Sequence, residues 1–181
     1  VGTPCQIQAL RRMQTSDFGV SKVAKAAKLA IGLFCFEIYA YDGLMKHLRD
    51  TGIEPSAVTR FDIKKGVFNA ETSGTNSLSA KLEQLDHLVK SSCRICTDFT
   101  AELADISVGA VGAPLDWSFV ITRSELGEQV LLDAEKAGFL AVKRGDELKP
   151  GLRPVLRLAE KKRERGPPAL GEAAKALAAI G

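Results

Sequence analysis

Four cysteines, Cys5, Cys35, Cys93 and Cys96, constrain this chain of 181 residues more than any other feature of its sequence. No apolar run approaches the roughly 18 residues that a membrane-spanning helix needs, and the first residues do not resemble a signal peptide. We therefore expect a cytoplasmic location. The four cysteines could pair as two disulfides, but in a reducing cytoplasm cysteines more commonly bind metals or take part in redox chemistry.

The spacing of the cysteines narrows that chemistry. Cys93 and Cys96 form a Cys-x-x-Cys pair, which lets both sulfurs face one centre in a zinc site, a redox dithiol or a 4Fe-4S cluster. A redox dithiol would leave Cys5 and Cys35 unexplained. Zinc ribbons usually contain two Cys-x-x-Cys pairs, whereas Cys5 and Cys35 are single cysteines far apart in sequence. The spacing favours a cluster held by all four thiolates, and a zinc site or buried unliganded cysteines remain the alternatives.

The bulk composition is that of an ordinary folded domain. Hydrophobic residues make up 45% and charged residues 26% of the chain, which is typical of a soluble globular protein. Its length can bury a substantial core without disulfides. Lysine and arginine number 25 against 22 acidic residues, a net charge of +3, which is too small a surplus to indicate a nucleic-acid partner.

Local patterns place two cysteines at the ends of predicted elements. Thr3 can cap a helix that begins at Pro4, so Cys5 falls in the first turn, where the helix dipole favours an anion. The apolar run at 29–35 lacks helical alternation and predicts a strand buried on both faces, with Cys35 at its carboxyl end. Ligands of open α/β sheets bind at that end of the strands.

The rest of the chain alternates helices and strands and predicts an α/β fold with a mixed, largely parallel sheet flanked by helices. Helices are predicted from Ser21 and at 42–49, 82–89 and 124–137, and strands at 58–63, 67–72, 105–111, 117–122 and 139–143. Ser16–Gly19 is a predicted loop, and a polar loop at 91–98 follows the predicted helix at 82–89. One domain is expected at 1–145.

Beyond Gly145 the composition changes. Prolines at 150, 154, 167 and 168 flank the basic stretch 157–165, and an alanine-rich segment follows. We expect the tail at 146–181 to lie outside the core. Its basic run predicts a solvated helix face or, as the alternative, a surface that docks an acidic partner.

Four stretches, three of which contain the cysteines, resemble the coenzyme F420 hydrogenase/dehydrogenase beta subunit family. They are Gly2-Thr3-Pro4-Cys5-Gln6, Gly32-Leu33-Phe34-Cys35, and Cys93-Arg94-Ile95-Cys96-Thr97-Asp98 together with Ala104-Asp105-Ile106-Ser107-Val108-Gly109. The likeness covers residues 1–145 and corresponds to the carboxyl-terminal domain of the family, without the smaller amino-terminal domain. Because the chain opens at Val1 without a methionine, we expect it to be part of a longer protein.

This resemblance implies an oxidoreductase subunit that carries FAD beside a 4Fe-4S cluster, with the four cysteines as ligands. Family members serve F420-reducing hydrogenase, formate dehydrogenase, related sulfite reductases and a chlorophyll-pathway reductase. Flavin converts between the hydride of F420 and the single electrons of a cluster, so the implied role is electron transfer between F420 and a partner subunit. The alternatives are a zinc-stabilised interaction domain without redox activity and a flavin reductase fed by ferredoxin.

The resemblance also suggests flavin contacts, because small residues let a planar ring approach the backbone. The candidates are Gly2, Thr3, Pro4, Gln6, Thr97 and Asp98, with Lys64 and Lys65 as candidate pyrophosphate ligands. An exposed hairpin tip is the structural alternative for the lysine pair, and capping of a helix is the alternative for Asp98. Structural roles are expected for His47, His87 and Trp117. The sequence shows no Ser-His-Asp set, Walker loop or GxGxxG motif.

Overall fold

A computed structural model describes residues 1–17, 21–74, 77–145 and 149–165. The strands are β1 (Ile31–Leu33), β2 (Val58–Lys64), β3 (Val67–Thr72), β4 (Ser77–Lys81), β5 (Ile106–Gly109) and β6 (Phe119–Thr122). The α-helices are α1 (Pro4–Thr15), α2 (Ser21–Ala24), α3 (Tyr41–Asp50), α4 (Ser91–Arg94), α5 (Glu125–Lys136) and α6 (Leu152–Glu164), and short 3₁₀ helices lie at Pro55–Ala57 and Leu82–Leu88.

The chain divides into two compact units. Unit 1 comprises Val1–Phe36 and the residues from Ile95 onward, and unit 2 comprises Glu37–Arg94. Each unit contains one three-stranded sheet. The sequence pattern does not signal this insertion of unit 2 into unit 1, and the prediction of one domain at 1–145 with a separate tail stays a prediction.

Unit 1 contains a mixed sheet in the order β1–β5–β6. β1 pairs in parallel with β5, and β5 pairs antiparallel with β6. The predicted mixed sheet flanked by helices is confirmed, but a largely parallel sheet is not what forms. The chain passes from β5 to β6 through a loop rather than a crossover helix, and such a connection joins antiparallel strands.

Two strand predictions in unit 1 need correction. The run at 29–35 yields only the three residues of β1, and Leu33 is 43% exposed, so this strand is not buried on both faces. The predicted strand at 139–143 is irregular chain. Helix α5 ends just ahead of it with Gly138 at φ +77°, as predicted, and Phe139 beyond that turn is exposed. Apolar residues therefore occur there without a strand partner.

A network around Asp105 joins four segments of unit 1. The Asp105 carboxylate accepts hydrogen bonds from the Ala30 backbone N–H at 2.8 Å, from Arg11 at 2.9 Å and from the Ser124 hydroxyl at 2.8 Å. The Ser124 hydroxyl in turn accepts the Gly127 N–H at 3.1 Å and caps α5. Because these polar groups bond one another, the segments before β1 and β5 are fixed against α1 and the start of α5.

Unit 2 is an antiparallel sheet in the order β2–β3–β4. The hairpin predicted around Lys64-Lys65-Gly66 is confirmed, with Lys65 at φ 50° and Gly66 at φ 79°, the positive angles that a tight hairpin turn requires. Strand β4 was not predicted, because Ser77–Lys81 is short and mostly polar or small. The predicted helix at 82–89 is a 3₁₀ helix. The apolar core contains Leu48, Ile53, Phe68, Ala70, Ala80, Leu85 and Leu88.

The described part of the predicted tail, up to Arg165, belongs to unit 1. Helix α6 buries Val155 almost completely, and the Gly151 N–H ahead of it donates to the Gly112 carbonyl at 2.9 Å. The helix is amphipathic, so its apolar face packs on unit 1 instead of remaining in solvent. Residues 146–148 and the alanine-rich segment after 165 lie outside the described residues, as does part of the predicted loop at Ser16–Gly19.

Candidate functional site

The turn at the start of unit 1 presents Cys5 at the beginning of α1, as predicted. The Gly2 N–H donates to the Ile31 carbonyl and the Leu33 N–H donates to the Gly2 carbonyl, both at 2.9 Å. The Thr3 N–H donates to Gln6 Oε1 at 2.8 Å, and the Thr3 hydroxyl lies 3.3 Å from Cys5 Sγ. The Cys5 side chain is exposed. A backbone bridge to β1 and a hydrogen bond to Gln6 therefore fix the turn and leave the thiol accessible.

Cys35 lies two residues beyond β1 and is bonded through its backbone on both sides. Its N–H donates to the Phe99 carbonyl at 2.9 Å, and its carbonyl oxygen accepts a hydrogen bond from Lys162 Nζ at 2.5 Å. The Phe34 ring packs against the Phe99 ring, with 5.4 Å between centroids. These contacts hold the Cys35 segment against residues 99–101.

Cys96 opens a tight turn in unit 1. Its thiol donates to the Asp98 carbonyl at 3.7 Å, and the buried Asp98 carboxylate accepts the Glu102 N–H at 3.0 Å. Gln8 of α1 donates to the same carboxylate at 3.4 Å. Asp98 thus bonds the backbone of a turn, and no helix follows it at residues 99–105 for it to cap, while Thr97 is exposed. Contacts of Thr97 and Asp98 with flavin stay a prediction.

Cys93 lies in unit 2, on the short helix α4. Its N–H donates to the Lys90 carbonyl at 2.9 Å, and its side chain is half-buried. The next residue, Arg94, forms an ion pair with Asp86 at 2.9 Å. The first four residues of the predicted polar loop at 91–98 thus form one turn of helix, α4.

The donor chemistry of the cysteines suits an iron-sulfur cluster, because none of the four forms a disulfide and all are at least partly accessible. Within the described ranges, no three side chains of His, Cys, Asp or Glu are grouped closely enough to hold a metal ion. The predicted convergence of the four thiols on one cluster therefore stays a prediction.

Two polar groups of unit 1 were not singled out from the sequence. Burial raises the pKa of Asp105, but hydrogen bonds from Ala30, Ser124 and Arg11 outweigh it and hold that pKa below its ordinary value. Arg123 donates to the Thr100 hydroxyl at 2.8 Å and to the Ser107 hydroxyl at 3.3 Å. The family-like stretch at 104–109 includes Asp105, so that resemblance was the available signal.

Lys162 is the third group that sequence reasoning missed. The lysine is 1% exposed, although it belongs to the basic run predicted as a solvated face. Its spacing of seven residues from the buried Val155 places both on one face of α6. The apolar periodicity of the helix, rather than its charge content, was the signal for burial.

The candidate pyrophosphate ligands lie at the hairpin tip of unit 2. Lys64 Nζ forms an ion pair with Asp62 at 2.6 Å, and both Lys64 and Lys65 are exposed. The exposed-tip alternative thus describes their position, and a phosphate contact stays a prediction. In the same unit the His47 and His87 rings lie edge to face, 6.1 Å apart.

Unit 1 also contains a cavity of about 690 Å³ between one face of its sheet, α5 and the chain at 140–145. Its walls are mostly apolar, and Trp117 lines it. Lys143 Nζ lies 4.4 Å from the centre of the Trp117 ring. Trp117 precedes β6 instead of belonging to a strand. None of the predicted flavin contacts lines this cavity. Its volume is within the range of small-molecule sites in proteins.

Fold and candidate site together define a mixed α/β protein with thiols at the ends of its elements. None of the described helices combines the length and apolar character that spanning a bilayer requires. Residues 1–147 match the family described as the C terminus of the coenzyme F420 hydrogenase/dehydrogenase beta subunit, and the chain belongs to this family. The resemblance recognised at the cysteine motifs is thereby confirmed.

Known relatives agree with this assignment. The chain is 39% identical over 166 residues to the coenzyme F420 hydrogenase subunit beta of Methanococcus voltae, covering 91% of this chain and 59% of that subunit. It is 38% identical over 141 residues to the coenzyme F420-dependent sulfite reductase of Methanocaldococcus jannaschii, covering 72% of this chain and 22% of the reductase. The chain thus spans about three fifths of the hydrogenase subunit and less of the reductase.

Among solved structures, a chain of the F420-reducing NiFe hydrogenase complex from Methanosarcina barkeri has the same fold. The TM-score is 0.85 at 32% sequence identity, with 91% of this chain and 57% of that chain covered. The mixed α/β architecture of both units is therefore that of a known redox-complex subunit.

Proposed function

We propose that this chain is the carboxyl-terminal part of an electron-transfer subunit that passes electrons between F420 and a partner subunit through FAD and a 4Fe-4S cluster. The observation that carries the proposal is the family match over residues 1–147, which contain all four cysteines. The structural likeness to a chain of an F420-reducing hydrogenase complex supports it.

Cys5, Cys35, Cys93 and Cys96 would hold the cluster, which when bound supplies one-electron transfer. The chain contributes fixed backbone around three of these thiols. The amino terminus of α1 places partial positive charge beside Cys5, which suits an anionic cluster. The Cys35 N–H donates to the Phe99 carbonyl, and the Cys96 thiol donates to the Asp98 carbonyl. Both cysteines are therefore attached to the turn that begins at Cys96.

Cys5, Cys35 and Cys96 would be supplied by unit 1 and Cys93 by unit 2. Metal sites are often completed only when the metal binds. The accessible Cys5 side chain at a helix start can reorient without breaking the backbone bridge between Gly2 and β1.

For the flavin ring, the turn at Gly2–Gln6 and the residues Thr97 and Asp98 compete with the cavity beside Trp117. We favour the cavity, because its apolar walls and volume suit a tricyclic ring. The Asp98 carboxylate, in contrast, is already bonded to the Glu102 N–H. Lys64 and Lys65 remain candidates for the pyrophosphate.

Trp117 is the single tryptophan of these 181 residues, and the emission that a Trp117→Phe variant loses isolates its contribution in the full-length protein. Titration of the flavin-free full-length protein with FAD should quench the emission of Trp117 if the ring enters the cavity. A Trp117→Phe variant supplies the baseline. FAD binding without quenching would favour the turn at residues 2–6 instead.

The electron-transfer role is tested by rapid mixing of the full-length protein with reduced F420 under anaerobic conditions. Hydride transfer from reduced F420 to the flavin should bleach the flavin absorbance after mixing. A reductase fed by ferredoxin predicts no bleaching by reduced F420 and bleaching by reduced ferredoxin. A protein with neither flavin nor iron would contradict both versions and favour the zinc-stabilised interaction domain.

A further inference from the structure

The most deeply buried charged side chain that the structure describes is Lys162 of α6, at 1% exposure. It lies beyond residues 1–147, the part that matches the family. Its Nζ donates to the backbone carbonyl oxygen of Cys35 at 2.5 Å. Among the described residues, no carboxylate forms an ion pair with it. A lysine placed in this way demands a physical reason, since burial of a charge is unfavourable without a countercharge.

Two neighbouring cations attach the same end of α6 to the segments around Cys35. Arg163 forms an ion pair with Glu102, and the guanidinium of Arg165 lies 4.7 Å from the centre of the Phe36 ring. Glu102 belongs to the turn that Asp98 caps, and Phe36 follows Cys35 directly. Both contacts lie just after Lys162 in the chain and attach this end of α6 beside the Cys35 segment.

A carbonyl oxygen satisfies one hydrogen bond of the lysine but does not neutralise its charge. A 4Fe-4S cluster with four thiolate ligands is anionic, so a cluster ligated by Cys35 would supply the missing countercharge. A fixed positive charge stabilises the reduced, more negative state of such a centre more than the oxidised state, and this effect is strong where water is excluded.

We propose that Lys162 is a positioning residue that fixes the Cys35 backbone and raises the reduction potential of the cluster bound there. The inference rests on the proposed function, since it requires a cluster at Cys35. It goes further by assigning the basic tail helix, outside the family match, a role in setting the driving force for electron transfer. The basic run is therefore neither a solvated face throughout nor solely a docking surface.

The test compares Lys162→Met with Lys161→Met in the full-length protein, purified anaerobically. Lys161 is the adjacent residue on the exposed face of the same helix, so the control variant removes the same formal charge without burial. Redox titrations followed by electron paramagnetic resonance give the midpoint potential of the cluster. We expect Lys162→Met to lower this potential, Lys161→Met to leave it unchanged, and Lys162→Arg to stay near the wild-type value.

Iron content separates the two proposals. Wild-type protein without a cluster contradicts the proposed function and removes the basis of this inference. Wild-type protein and Lys162→Met with equal iron and the same midpoint potential overturn the role of Lys162 alone. Should Lys162→Met fail to fold, Lys162→Gln takes its place, because glutamine keeps a hydrogen-bond donor without the charge. An unchanged potential in that variant overturns the inference equally.

Discussion

The two units of this chain are stabilised in different ways. In unit 2 the buried cluster is apolar throughout, with Leu48, Phe68 and Leu85 among its members. Every buried polar or charged side chain identified in the described ranges lies in unit 1, namely Asp98, Thr100, Asp105, Ser107 and Lys162. Unit 1 also contains three of the four cysteines. Buried polar networks therefore occur in the unit that carries most of the candidate site.

Connectivity explains part of this difference. Strands β2, β3 and β4 are consecutive in sequence and pair as simple hairpins, so unit 2 needs few other contacts to fix its register. The sheet of unit 1 joins β1 to β5, which lie more than seventy residues apart along the chain. Hydrogen bonds that the Asp105 carboxylate accepts from three other segments supply the positioning that local turns supply in unit 2.

The largest expected effect is that of Asp105→Ala. Loss of the carboxylate removes the acceptor of the Ala30 N–H, the Arg11 guanidinium and the Ser124 hydroxyl. Since each such hydrogen bond contributes about 1 kcal/mol or slightly more, we expect the unfolding free energy to fall by about 3–4 kcal/mol. The pKa of Asp105 is lower in the folded than in the unfolded protein. Its contribution is thus complete above about pH 4 and is lost as the pH falls through the folded pKa. Urea unfolding at pH 7 and pH 3 should show the deficit shrinking in acid.

Asp62→Ala is the matched control in unit 2. A hydrogen bond from Lys64 also lowers the pKa of Asp62, but this pair lies on the hairpin, with the lysine largely exposed. We expect little loss of stability at either pH, because such pairs are screened by solvent. Equal deficits for the two aspartates would contradict the contrast between the units.

Leu85→Ala tests the apolar core of unit 2. Leu85 is fully buried, and truncation of a buried leucine costs about 3 kcal/mol through lost burial and the cavity left behind. No ionisable group takes part, so the deficit measured by urea unfolding should be the same at pH 7 and pH 3. A deficit that depends on pH would show that polar groups also support this core.

Two helical glycines provide a smaller test. A Cβ at Gly127 of α5 would lie 2.3 Å from the Asp105 carbonyl oxygen, whereas one at Gly43 of α3 would lie 3.2 Å from the end of the flexible Leu88 side chain. Gly127→Ala should cost about 2 kcal/mol through overpacking against backbone. Gly43→Ala should change stability by less than about 1 kcal/mol, since helix propensity favours alanine. Thermal unfolding measures both, and similar costs would argue against tighter packing in unit 1.

The sequence was most informative where local rules decide the structure. Pro4 after Thr3 marks the start of α1, Lys65-Gly66 marks the β2–β3 turn, and Ser124 marks the start of α5. Each depends on a few adjacent residues. The motifs around the cysteines likewise identified the family, which the match over residues 1–147 confirms.

Predictions failed where distant contacts decide the structure. Lys162 is buried because α6 packs on unit 1, and no local rule for basic residues anticipates that. The strand predicted at 139–143 has the right composition but no partner to pair with. The direction of β6 depends on the loop that precedes it rather than on its own residues. The proposed ligand set likewise depends on contacts between residues that are far apart in sequence.

The central claim is that four thiolates bind one iron-sulfur cluster. Counting iron, acid-labile sulfide and zinc in anaerobically purified full-length protein tests it most directly, with serine variants of Cys5, Cys35, Cys93 and Cys96 alongside. We expect four irons and four sulfides per chain, as a 4Fe-4S cluster requires, and loss of cluster stability in every serine variant. Zinc in place of iron, or serine variants of Cys5 and Cys35 with full, stable iron content, would contradict it.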